Sequence, residues 1–321
     1  LALYVDGLVA KQQDSISEKR GPRVDAPEQA IHGFLKSTGL TREQLVTKET
    51  PKGTFLVART EMKGVATAAL LPAMICDILA NFPWPKSQRW GATSFRWVRP
   101  LHRVNVLFGG AGLEGVVNLG GEKLPFTTVS AGHYFEAPAD LDLSGVGGAD
   151  DYAALLRGAH VIVDQPARIE MIRRGATELA ASLGCDLKTG DANIAETAGL
   201  VEHPHLLVGT IEERFMALPP EVLQSSIETH QKYITLQAHD GSFSPHFVVV
   251  SNRLADDERD AIILAGNQRV LRARLADAEF FWVEDGRTPL ADFLPRLADI
   301  AFHKGLGTVH DKAQRLEKLV A

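Results

Sequence analysis

Between Pro219 and Asp285 the chain reads as a helix, a β-hairpin and two further helices, and this order constrains the fold more than any other stretch. Pro219-Pro220 precede a helix carrying Val222, Leu223 and Ile227. Lys232 to Gln237 and Phe247 to Val250 read as strands around an Asp240-Gly241 turn, a good hairpin signal. Asp256 to Leu264 and Val270 to Trp282 read as helices. In the second, Leu271, Leu275, Ala278 and Trp282 recur at steps of four, three and four, which predicts a core-facing stripe. The pattern points to a multidomain α+β protein with mixed or antiparallel sheets and packed helices.

The rest of the chain is read the same way. Leu3 to Ala10 looks like a strand, Lys11 to Arg20 is polar, and Gly21-Pro22 breaks the chain. A helix is expected after Asp25, with Glu28 completing a capping box and Gly39 as the stop. Thr41 with Gln44 opens a short second helix, and Phe55 to Ala58 reads as a strand. Val65 to Leu79, including Pro72, Cys76 and Asp77, reads as a buried helix of about four turns. Val104 to Phe108 and Gly115 to Leu119 are expected as hairpin strands, and Leu141 to Gly148 as a loop. Tyr152 to Leu156 predicts a short helix, Val161 to Val163 a buried strand, Arg168 to Leu183 a long helix, and Asp311 to Leu319 a final one. Leu206 to Val208 opens the next unit.

The 321 residues suffice for two or three domains. No run of eighteen apolar residues points to a membrane span. The start lacks the basic flank and cleavage pattern of a signal peptide, and the missing initiator Met is read as a start inside a longer protein. Cys76 and Cys185, both in apolar contexts, are expected as free buried thiols without zinc spacing. A formal net charge of −6 excludes an overall attraction to nucleic acid, so RNA contact needs local patches.

Several such patches are candidates. Arg269, Arg272 and Arg274 lie off the apolar stripe near a helix start, against the preference of the helix dipole, which suits an anion such as RNA phosphate. A solvated face with an Arg274–Asp277 pair is the plainer alternative. His230-Gln231-Lys232-Tyr233 offers Lys232 to a nucleotide while strand alternation turns Tyr233 to the core, and Arg253 joins the basic surface. Trp90, Arg96, Trp97, Arg99 and His102 form an aromatic and basic cluster. Arg96 and Arg103 are phosphate candidates, and Trp90 and Trp97 are core or subunit-interface anchors. His133 and His160 lack nucleophile partners at supporting spacing, and His310-Asp311 alone assigns no metal. The Gly109-Gly110-Ala111-Gly112 and Gly120-Gly121 runs lack phosphate-loop context and read as hairpin turns.

Several longer motifs in one order resemble the beta subunit family of bacterial heterotetrameric glycyl-tRNA synthetases. They are Gly21-Pro22; Lys86-Ser87-Gln88-Arg89-Trp90-Gly91, with Gln88 in place of Met; Phe95 through His102; and Gly132-His133-Tyr134-Phe135, with Tyr134 in place of Arg. Leu218 to Leu223, His230 to Tyr233, Gly266-Asn267-Gln268-Arg269-Val270-Leu271 (Gln268 for Glu), Ala276 to Trp282, Leu306-Gly307 and Asp311-Lys312 continue the series. The resemblance implies a domain similar to the B3/B4 region of the phenylalanyl-tRNA synthetase beta chain, followed by an HD-like helical domain. The expected division is an α+β region over 1–85, a central α+β region over 86–300 containing the B3/B4-like domain, and the start of the HD-like domain over 301–321. Most of the HD-like part and an anticodon-binding domain are expected to lie outside this chain.

The resemblance further implies a chain without catalytic residues or bound cofactor that grips and orients glycine tRNA. ATP and Mg2+ belong to the alpha subunit of a cytoplasmic α2β2 complex, with no DNA or membrane partner. Two other implied roles are a scaffold for the alpha subunit with little RNA contact, and an editing hydrolase using His133 or His160.

Overall fold

The computed structural model describes residues 2–320, which fall into two compact units. One holds the residues up to Ala131 together with Ala139–Tyr152; the other holds Gly132–Pro138 and the chain from Ala153 onward. Both mix helices with mainly antiparallel sheets.

In the first unit, β1 (Ser15–Arg23) lies against the later central strand of a three-stranded sheet. This corrects two expectations. Residues 3–10 form no strand, and the polar stretch that follows supplies one, because an exposed edge strand tolerates polar side chains on both faces. Gly21-Pro22 does not break it; the pair is absorbed as an irregularity between Arg20 and Arg23. A Cβ at Gly21 would collide with the Phe34 ring, so glycine is needed for that close approach. α1 (Glu28–Thr38) starts after Pro27 without a side-chain cap; Asp25 turns toward Arg23 at 3.7 Å instead of forming the expected box. Gly39, at φ 67°, ends it as expected. A short turn at Arg42–Gln44 opens with the Thr41 N–H donated to Gln44 Oε1 at 2.8 Å. β2 (Leu45–Thr50) and β3 (Gly53–Met62) complete the sheet, with β3 central.

α2 (Thr67–Ala80) is helical across Pro72 but has no buried residue, and Met74 and Ile78 are each 55% exposed. The buried helix expected here is therefore an apolar helix with an open face. After it come β4 (Val104–Asn105), β5 (Leu107–Phe108), β6 (Ala111–Gly112), β7 (Val116–Asn118) and β8 (Lys123–Thr127). Val104–Phe108 and Gly115–Leu119 do not pair with each other. Two glycine turns divide the region into separate hairpins: β5 with β6 over Gly109-Gly110, and β7 with β8 over Gly120-Gly121, while β4 joins β8 in parallel. β9 (Val129–Ala131) pairs with β10 (Asp140–Asp142), so the segment expected as a loop from Leu141 begins as a strand. α3 (Ala149–Gly158) follows.

The second unit is built on a four-stranded antiparallel sheet. Val161–Val163 is buried at Ile162 but joins no ladder; the Ile162 N–H goes to Glu202 O instead. α4 (Gln165–Ser182), β11 (Cys185–Leu187), α5 (Asp191–Ala198), β12 (His205–Thr210), α6 (Pro220–Gln224), β13 (Ile234–Ala238) and β14 (Phe243–Ser251) follow in order. The strands lie β11-β13-β14-β12, and β13 and β14 form the expected hairpin around Asp240-Gly241. Strand alternation sorts the core onto two faces. Ile234, Leu236 and Val248 pack with Ile172, Ala176 and Ile194 of α4 and α5. Phe247 and Val249 pack with Phe215, Leu223, Ile227, Leu271 and Leu275 on the other side.

α7 (Asp257–Gly286) is one helix of 30 residues where two were expected. Asp256 caps it by accepting the Arg259 N–H, and Gly266 lies inside with open space where a Cβ would stand. A helix of that length spans about 45 Å, whereas the nine-residue β14 spans about 30 Å. Leu271 and Leu275 are therefore buried, but Trp282, expected in the core stripe, is 53% exposed. A 3-10 helix at Leu290–Asp299, β15 (Ala301–His303), β16 (Gly307–Thr308) and α8 (Val309–Val320) follow. Among the described residues no helix is long and apolar enough to cross a membrane. Cys185 is buried and Cys76 only half-buried; both are free.

Candidate functional site

The arginines of α7 do not converge. At about 100° per residue, Arg272 sits some 60° from Arg269, and Arg274 about 140° from Arg269 on the opposite flank. Arg272 is engaged: its Nε pairs with Glu212, which also accepts from Arg214 at 3.2 Å. Arg269 and Arg274 are exposed and have no carboxylate partner among the described residues, so the Arg274–Asp277 pair does not form. Beside Arg272 lies a cavity of about 100 Å³, floored by Phe215, Leu271 and Leu275, which is room for no more than the tip of a side chain.

The His230–Tyr233 segment follows a widened π-turn over Ser225–Thr229. That turn presents Glu228 to the hydroxyls of Thr189, at 2.6 Å, and Thr235. The chain then reverses through Lys232 at φ 59°, a left-handed conformation uncommon outside glycine. Lys232 Nζ meets Glu196 at 2.9 Å. Tyr233 is buried, and its hydroxyl donates to Asn267 Oδ1 at 2.7 Å. Tyr233 is thus a core residue, and Lys232 is held by a carboxylate rather than left free.

Arg253 is the most enclosed of the candidate cations. Its Nε donates to Glu136 Oε1 at 2.8 Å, and its guanidinium lies 4.3 Å over the Phe135 ring. Burial pushes the Glu136 carboxyl up, but the hydrogen bonds from Arg253 and the Leu254 N–H and the charge of Arg259 outweigh it and hold the group below its usual range. Asn252 Oδ1 accepts the N–H groups of Glu202 and His203. His133, fully buried, contacts Asn252 O through Nε2 at 3.0 Å and accepts the N–H groups of Phe135 and Glu136 at Nδ1. Both ring nitrogens are thus committed to backbone. His160 sits at φ 60° near His203, whose pKa is lowered first by burial and then by the neighbouring His160, His133 and His205.

In the first unit, Trp97 is buried and Trp90 half-buried; Phe82 and Trp84 pack on Trp97, and Phe95 lies between Trp90 and Trp97. Arg103 donates to Ser130 O at 2.6 Å and pairs with Asp140 at 2.8 Å. Among the described residues Arg96 is tied to Ser87 alone, through its hydroxyl at 3.2 Å and its carbonyl at 3.1 Å. The partners Glu136, Glu196 and Glu212 carried no local signal: Glu136 is 117 residues from Arg253. Among the described residues no group of three or more His, Cys, Asp or Glu is arranged to hold a metal ion.

Comparison with known proteins gives one consistent result. The family described as "Glycyl-tRNA synthetase beta subunit" matches residues 1–321. The chain is 44% identical over 340 residues to the glycine--tRNA ligase beta subunit of Rhodospirillum centenum, covering 99% of this chain and 47% of the relative. It is 41% identical over 322 residues to that of Paracoccus denitrificans, covering 99% and 46%. It is also 41% identical over 326 residues to that of Ruegeria sp., covering 100% and 46%. The chain therefore spans about half the length of the curated relatives it matches. With the whole of its sequence matched, the chain belongs to the glycyl-tRNA synthetase beta subunit family.

Proposed function

We propose that this chain supplies grip and geometry for glycine tRNA within a cytoplasmic glycine--tRNA ligase. Aminoacylation, with its ATP and Mg2+, then takes place on the alpha subunit of an α2β2 complex. The family match along the whole chain carries this reading. Exposed Arg269 and Arg274 support it, because a cation without a carboxylate partner is available to phosphate. Positioning is sufficient for a large effect: misplacing a reacting group by about 1 Å can cost roughly a hundredfold in rate. The chain alone is expected not to charge tRNA. In this reading the central region over 86–300 contains the B3/B4-like domain, and 301–321 begins the HD-like domain. The engagement of His133 by three backbone groups argues for a brace at that position rather than a hydrolytic base.

The test is binding of glycine tRNA to the chain across a salt series. The logarithm of affinity should fall linearly with the logarithm of salt, and the double variant Arg269→Ala, Arg274→Ala should flatten the slope by about two. No binding at low salt would favour a scaffold that barely touches RNA.

A further inference from the structure

We infer that the first unit carries a shelf for one unpaired ribonucleotide, with the base on Phe95 and the phosphate on Arg96. This rests on the tRNA-gripping reading above and adds a contact carried by the first unit. Three observations carry it.

The first is a cavity of about 370 Å³ lined by Ser94, Phe95, Arg96, Asn118 and Gly120, large enough for a small ligand. The turn between β7 and β8 builds one wall. Gly120 takes φ 73°, and a Cβ there would collide with Ser94 Oγ, so the turn approaches Ser94 only as glycine. The Gly120 N–H donates to Asn118 Oδ1 at 2.9 Å and fixes the amide, whose NH2 makes no hydrogen bond among the described residues. Leu119 O receives both the Ser94 and Phe95 N–H groups, at 3.1 and 3.0 Å, and joins the walls.

The second is the pairing of a rigid ring with an oriented cation. Phe95 lies 28° from the plane of Trp97 at 6.2 Å between centroids, with Trp90 edge-on. Arg96 is aimed by its two bonds to Ser87; among the described residues its Nη1 has no partner and its charge no carboxylate. An aromatic face, a guanidinium and a free amide together suit a splayed-out base and its phosphate. A base held in a duplex offers no free face to Phe95.

The third is charge. From Phe82 to Leu113 the chain has no Asp or Glu, yet it holds Lys86, Arg89, Arg96, Arg99 and Arg103, in a protein of net charge −6. Of these five, only Arg103 meets a carboxylate among the described residues. The segment is the local basic patch that an acidic chain needs to hold RNA.

The experiment is fluorescence anisotropy of the 321-residue chain with labelled glycine tRNA and a labelled unstructured RNA, with AMP as competitor. Phe95→Leu keeps an apolar contact with Trp97 and removes the stacking face; it should weaken both RNAs roughly tenfold without altering the salt slope. Arg96→Gln, at an exposed position, should weaken both and lower the slope by about one. Parental affinity for tRNA in both variants overturns the shelf and leaves the tRNA reading intact. Variant-sensitive binding of unstructured RNA without any binding of tRNA keeps the shelf and removes the tRNA reading. Failure to bind either RNA overturns both. AMP bound more tightly than RNA reassigns the shelf to a free nucleotide and overturns the RNA source. Thermal melts of both variants check the fold, and Arg96→Gln decides the matter if Phe95→Leu melts early.

Discussion

His133 is fully buried, and its ring is committed on both sides. Nδ1 accepts two backbone N–H groups, so the proton belongs on Nε2, which donates to Asn252 O. The residue is a brace that joins the Gly132–Pro138 segment to the end of β14. His133→Ala should destabilise the protein by about 2–4 kcal/mol, because three part-buried backbone groups lose their partner and a fully buried side chain is removed. Urea unfolding measures this, and a loss under 1 kcal/mol would contradict the brace. The sequence alone left His133 open between a structural and a catalytic role. The choice depended on Phe135 and Glu136, which are local, and on Asn252, which is not. Arg253 shows the same limit. It was legible as a surface cation, but Glu136 and the Phe135 face enclose it only once distant segments meet.

At the scale of elements, local signals served where the partner was local. The hairpin around Asp240-Gly241 formed because the turn residues and both strands lie within one short stretch. Trp282 was misplaced because helical spacing says which side a residue faces and nothing about where the supporting sheet ends. Two backbone features yield predictions. Lys232 at φ 59° carries left-handed strain, which glycine relieves and alanine keeps. Both substitutions remove the Glu196 pair equally, so Lys232→Gly should exceed Lys232→Ala in stability by about 1 kcal/mol in paired denaturation curves. Equal stability would show that the conformation is unstrained. Gly266 lies inside α7 with no atom near its absent side chain. Gly266→Ala should therefore stabilise by about 0.5–1 kcal/mol, read as a raised unfolding midpoint, and a lowered midpoint would mean that the site is covered.

For the whole molecule, acid stability follows from groups that the folded chain makes harder to protonate: His203 by burial, and Glu136 and Asp260 by hydrogen bonds and neighbouring charges that outweigh burial. His203 has a folded-state pKa below its ordinary 6.5, through burial and then its histidine neighbours. The unfolded chain therefore binds the proton more readily, and stability should begin to fall as pH drops through 6.5. Glu136 and Asp260 are likewise held below their ordinary 4.5 and 3.8, so further loss follows below those values. Urea midpoints from neutral to acid pH should trace both limbs, and His203→Gln should flatten the upper one. A midpoint constant to well below pH 6 in the parent would contradict the assignment.

The sequence by itself determined the α+β character, most helices, the hairpin turns and the family, because each is written in periodicity or in motifs a few residues long. Only the tertiary structure decided which cations are free. Arg272 and Arg253 met carboxylates from remote segments, while Arg269, Arg274 and Arg96 meet none among the described residues. Whether a charge is neutralised depends on distances in space, and those are set by packing the two faces of a sheet rather than by spacing along the chain.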